Sequence, residues 1–103
     1  MQDFNLDRLL RFAVEKEASD VHLHTNRRPL IRIRGGLVPL NMEPLNDQTM
    51  LDIAKSMMSD SMITQFNENL AVDLGYSPES LPARFRVSIY HQKGTIAIAM
   101  RYI

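Results

Sequence analysis

The chain contains no cysteine, which removes disulfides and thiol chemistry and suits a reducing cytoplasm. Glycine is scarce: Gly35, Gly36, Gly75 and Gly94 are the complete set. A phosphate-cradling loop of the form GxxxxGK followed by Ser or Thr therefore cannot be written anywhere in it, and Lys93-Gly94-Thr95 has the right residue types in the wrong order. ATP hydrolysis by this chain alone is not expected. There is no apolar run of about 18 residues, the length a membrane-spanning helix needs. The first twenty residues carry five acids and no apolar block, so neither a secretory signal nor an amphipathic targeting helix is expected. Acidic residues are themselves missing from two long stretches. Residues 21–42 hold Arg27, Arg28, Arg32 and Arg34 and no acid, and residues 84–103 hold Arg84, Arg86, Lys93 and Arg101 and no acid.

What is present fits one domain spanning residues 1–103. With 45% hydrophobic residues, seven of them methionine, a core can form, and a stability of roughly 5–15 kcal/mol is expected. The formal net charge of zero hides the segregation, because residues 43–83 carry seven acids against Lys55 alone. Nine of the twelve cations are arginine, the side chain suited to bidentate capture of phosphate and carboxylate. Two readings follow. Exposed strand faces are simply arginine-rich and helical surfaces acidic, or a polar sheet face docks something anionic.

Hydrophobic spacing sets the element order. Asn5 caps a helix to about Lys16 with a stripe of Leu6, Leu9, Leu10, Ala13 and Val14. Ala18-Ser19-Asp20 ends it and leads into a strand from Val21 to His24. A second strand, Leu30 to Arg34, points Ile31 and Ile33 inward and Arg32 and Arg34 outward. Gly35-Gly36 turns it into a third, Leu37 to Leu40. After Pro44, Asn46 or Asp47 caps a helix with stripe Met50, Leu51, Ala54, Met57 and Met58. Asp60 or Ser61 opens a short helix with Met62, Ile63 and Phe66 inside. A strand from Ala71 to Tyr76 buries Val72, Leu74 and Tyr76, and Ser77 to Pro82 is a loop. This order predicts an α+β domain, a mostly antiparallel sheet with helices packed on one face.

The last twenty residues are the most strongly patterned. Arg84 to Tyr90 alternate, as do Ile96 to Arg101, around a Lys93-Gly94 turn. A two-residue loop places Gln92 opposite Thr95, Ile89 opposite Ile98 and Arg86 opposite Arg101. Phe85, Val87, Ile89, Ile96, Ile98 and Met100 then form the core face, with Ser88, Tyr90, Ala97, Ala99 and the two arginines on the other. A three-residue loop would separate the arginines. Like charges directly opposite in a sheet are destabilising, so the pair makes sense where an anion sits between them.

Other motifs point less far. His22 and His24 share one strand face and have the residue type for zinc, with His91 or Asp20 as a conceivable third ligand; no metal site is expected. Ser-His-Asp sets have nothing to bring them together. Met50, Met57, Met58 and Met62 at helical spacing read as core filler, or as a docking groove if exposed. Phe85 alternates with Arg84 and Arg86 and so faces away from them, which argues against nucleic-acid binding by this sheet.

Ala18-Ser19-Asp20-Val21-His22-Leu23-His24, the arginine-bearing hairpin around Gly35-Gly36, the Leu9-Leu10-Arg11-Phe12 helix and Ala83-Arg84-Phe85-Arg86-Val87-Ser88 with its partner strand ending Met100-Arg101 together resemble the N-terminal domain of the secretion and pilus ATPases. The resemblance is nearest to the type IV pilus retraction ATPases of twitching motility and covers essentially the whole chain. It implies a PAS-like domain that precedes a RecA-type ATPase domain in a cytoplasmic homohexamer. It also implies contacts with ATPase domains of its own and neighbouring subunits, and an indirect link to the pilus inner-membrane platform protein, with peripheral placement at that membrane. ATP and Mg would belong to the full-length protein. By the same resemblance, Arg86 and Arg101 would reach the ATP phosphates as a clamp, with Arg84 a third nucleotide-binding arginine. The Walker and histidine-containing segments of that family are missing here, so the chain is expected to be a fragment, inactive as an ATPase by itself. The alternative is a free-standing PAS-like domain that senses a small ligand or docks an acidic protein surface.

Overall fold

A computed structural model describes residues 4–103. Helix α1 (Leu6–Glu15) is followed by strands β1 (Asp20–His24), β2 (Leu30–Ile33) and β3 (Gly36–Pro39). Helices α2 (Asp47–Met57) and α3 (Asp60–Asn69) come next, and β4 (Ala71–Tyr76), β5 (Phe85–Gln92) and β6 (Thr95–Tyr102) complete the chain. Each helix begins on a polar side chain that accepts an otherwise unpaired backbone N–H: Asn5 from Arg8, Asn46 from Thr49, and Ser59 from Met62. Helix α3 starts at Asp60, one of the two expected positions, with Ser59 just before it as the cap. At its other end Leu70 takes a left-handed conformation, φ 62°, where glycine is the usual choice.

The six strands form one sheet in the order β3-β2-β1-β6-β5-β4, with every pair antiparallel. The β5–β6 register is the one a two-residue loop requires: Gln92 pairs with Thr95 and Arg86 with Arg101. Lys93 and Gly94 have φ 52° and 81°, the paired positive values of a hairpin turn that matches strand twist. The β2–β3 turn departs from expectation by one residue. Ile33 pairs with Gly36, so the turn is Arg34-Gly35 (φ 51° and 82°) and Gly36 belongs to the strand. Arg34 thus leaves the strand face, and an Arg32 guanidinium N–H donates to the Gly35 carbonyl at 2.9 Å, stitching the turn.

All three helices cover one face of the sheet. Leu9, Leu10 and Ala13 from α1, Met50, Ile53, Ala54 and Met57 from α2, and Phe66 from α3 close over Val21, Leu23, Ile31, Val72, Phe85, Val87, Ile89, Ile98 and Met100. Among the described residues no polar or charged residue is buried as a whole. The methionine stripe is core filler: Met50 and Met57 are buried, and Met58 and Met62 are partly buried against the core. Ile53 replaces the expected Leu51, which is half-buried. Among the described residues no helix is long and apolar enough to cross a membrane.

Candidate functional site

The opposite face of the sheet carries no helix, and the strand registers arrange its side chains in rows. One row runs Leu37, Arg32, Asp20, Arg101, Arg86 and Gly75 across all six strands. Arg86 and Arg101 are direct cross-strand partners, as the hairpin pattern predicts. Arg84, two residues before Arg86 and on the same face, extends its guanidinium over the end of the row. A Cβ at Gly75 would lie 3.8 Å from Arg84 Nη2, so the bare glycine leaves the arginine lying close over the backbone. Arg84, Arg86 and Arg101 thus line one end of the face beside one carboxylate, while Arg32, on the far side of that carboxylate in the row, is bonded to the Gly35 carbonyl.

That carboxylate is Asp20. Its side chain is 15% exposed and lies 3.8 Å from the Arg101 Nε, whose own side chain is 72% exposed. An exposed ion pair of this kind contributes little to stability, at most about 1 kcal/mol, but it restricts where the guanidinium points. Arg86 is exposed and has no ion-pair or side-chain hydrogen-bond partner among the described residues. Two guanidiniums side by side, one tethered and one free, form a donor set fitted to a phosphate or carboxylate.

The second row holds Pro39, Leu30, His22, Ala99, Ser88 and Asp73. Ser88 donates to Asp73 Oδ1 at 2.6 Å. His22 Nε2 is buried without a hydrogen-bond partner, 4.0 Å from Asp20 Oδ2. Burial is the main cause that holds the His22 pKa below its ordinary value of 6.5; Asp20 opposes the shift, and Arg32 and His24 add to it. His24 stacks parallel to His22, ring centroids 6.5 Å apart. The sequence offered Asp20, which does approach His22 at 4.0 Å, or His91 as a third member of this group. Instead His91 lies on the helix-covered face, stacked on Phe66 at 4.7 Å. Among the described residues no three metal-ligating side chains come together.

The loop that delivers Arg84 is held from the helix side. Tyr76 donates its hydroxyl to Asp7 Oδ1 at 3.0 Å, Ser80 donates to Asp7 Oδ2 at 3.4 Å, and Arg11 donates to the Ser80 carbonyl at 2.6 Å. Burial first, then the bond to Asp7, pushes the Tyr76 phenol up to about 12. Sequence reasoning placed Arg84, Arg86 and Arg101 in the site but missed Asp20 as their companion. Its signal is the β1–β6 register, a pairing of segments 81 residues apart in sequence that alternation alone does not specify.

No family model matches the chain. It is 29% identical over 99 residues to the type IV pilus retraction ATPase PilT of Pseudomonas aeruginosa, covering 96% of this chain and 28% of that protein. The type IV pilus ATPase PilU of the same organism is 27% identical over 97 residues, covering 94% and 25%. Among solved structures, the pilus retraction motor PilT with bound ADP superposes with a TM-score of 0.88 at 29% identity, over 96% of this chain and 29% of that one. The ATPase DotB of Legionella pneumophila shares the fold, with a TM-score of 0.81 at 24% identity over 100% of this chain and 31% of that one. The chain spans between a quarter and a third of the length of these relatives. In sequence and fold it matches the N-terminal domain of the pilus retraction ATPases.

Proposed function

We propose that this chain is the PAS-like N-terminal domain of a hexameric type IV pilus retraction motor, a cytoplasmic ATPase that works at the inner-membrane pilus platform. In this reading the helix-free face closes on RecA-type ATPase domains of its own and neighbouring subunits. Arg86 and Arg101 then present guanidinium donors to the ATP phosphates, with Arg84 at the rim. The observation that carries the reading is the cross-strand pairing of Arg86 with Arg101, in a fold that superposes on an ADP-bound retraction motor. Two positive charges held opposite one another cost stability, and a phosphate between them offsets that cost.

The donor set fits a polyphosphate, being three guanidiniums with one carboxylate that already faces Arg101. ATP with Mg would be held by the ATPase domain and would supply the phosphoanhydride bond whose hydrolysis drives the motor. This chain's own contribution is positional. Asp20 orients Arg101, the β5–β6 ladder fixes the separation of Arg101 from Arg86, and domain closure brings both to where negative charge builds on the phosphates. In the full-length enzyme, Arg86→Ala and Arg101→Ala are each expected to keep the fold and to lower kcat roughly 10²–10³-fold. Turnover unchanged in both variants, measured by phosphate release, removes the clamp assignment.

A further inference from the structure

The same helix-free face carries a second group of cations at its other end. A cleft of about 380 Å³ lies there, lined by His24, Thr25, Arg27, Leu30, Gln92, Lys93 and Thr95. Two tight turns form its walls. On one side the chain turns from His24 to Arg27, closed by the Arg27 N–H donating to the His24 carbonyl at 3.2 Å, with Asn26 in the left-handed region at φ 62°. On the other side is the Lys93-Gly94 hairpin turn. Each turn brings one cation to the cleft, and no carboxylate lines it.

Of the other cations in these acid-free segments, Arg34, Arg84 and Arg86 do not line this cleft, and three more are engaged elsewhere. Arg28 donates to the Leu40 carbonyl, Arg32 to the Gly35 carbonyl, and Arg101 faces Asp20. Among the described residues Arg27 and Lys93 have neither an ion-pair nor a side-chain hydrogen-bond partner. The two hydroxyls are already committed, Thr25 to the Ile96 carbonyl and Thr95 to the Gln92 carbonyl. Free donors toward the cleft are therefore the Arg27 guanidinium, the Lys93 ammonium, the Gln92 amide and the His24 ring. We propose that this cleft binds a small phosphate-bearing anion between Arg27 and Lys93, at a site separate from the Arg86–Arg101 pair. Thr95 lies six residues from Arg101 along β6, about 20 Å at strand rise, so one small anion does not span both. The site stands independently of the clamp assignment.

The test is an amide NMR titration of the 103-residue chain with pyrophosphate at low ionic strength. Saturable shifts are expected at Arg27, Gln92, Lys93 and Gly94. The Arg27→Ala/Lys93→Ala double variant, its fold checked by unchanged core resonances, should bind at least about tenfold more weakly. Arg86→Ala/Arg101→Ala should leave this binding unchanged. A parallel titration with ATP separates the sources: equal affinity means the phosphates alone are read, and tighter binding means a nucleotide is. Saturable shifts at Arg86 and Arg101 with none at Arg27 and Lys93, no saturable shift anywhere, or a response only to an acidic peptide and not to pyrophosphate each overturn the assignment.

Discussion

Asp20, Arg101 and Arg86 lie side by side in one row of the sheet, and each responds differently to substitution. Removing Arg86 relieves like-charge repulsion, so Arg86→Gln is expected to stabilise the isolated chain by about 0.2–1 kcal/mol in urea unfolding. The same change in the full-length enzyme is expected to slow turnover, so stability and activity should move in opposite directions. His22 gives a pH signature. Burial keeps its folded pKa below the 6.5 of the unfolded chain, so the unfolded chain takes up the proton first. Its contribution is fully present above pH 6.5 and is lost as pH falls toward the folded pKa. Thermal melts at pH 7.5 and pH 5.5 should show a lower Tm at the acid pH, and His22→Gln should reduce that difference. The arginines were legible because strict alternation assigns faces without any tertiary information. Asp20 was not, because its role exists only once β1 lies against β6.

Helices and turns depend on a few end residues. Asn46→Ala removes the acceptor for the Thr49 N–H and is expected to cost about 1 kcal/mol by denaturant unfolding. Leu70 is 55% exposed and left-handed, a conformation that costs a side-chain-bearing residue about 1–2 kcal/mol. Leu70→Gly should therefore stabilise the domain by about 0.5 kcal/mol after the added freedom of the unfolded chain is counted. Helix positions and the final hairpin were readable because caps, stripes and glycine turns are local signals. The β2–β3 turn was displaced by one residue because Gly35-Gly36 offers two possible centres. Arg34 accepts the first left-handed position, and the Arg32 bond to the Gly35 carbonyl closes that choice. The stripe on α2 shifted from Leu51 to Ile53 because only packing against the sheet decides which flank of a helix faces inward.

At the scale of the whole molecule, strand order was the part the sequence withheld, since pairing between distant segments leaves no periodic trace. The core is a single layer between helices and sheet, and Ile98 is at its centre, fully buried. Ile98→Ala is expected to cost about 2–5 kcal/mol, a large share of the stability of a domain this size, visible as a marked fall in the urea midpoint. The placement of β6 has a mechanical consequence. It is held by five register pairs to β1 on one flank and eight to β5 on the other. A tension applied along β6 would load both hydrogen-bonded ladders in shear, where many bonds must fail together, and not unzip them singly. The domain would then transmit a pull as a stiff plate, with the arginine row moving as one piece with the strand that bears the load.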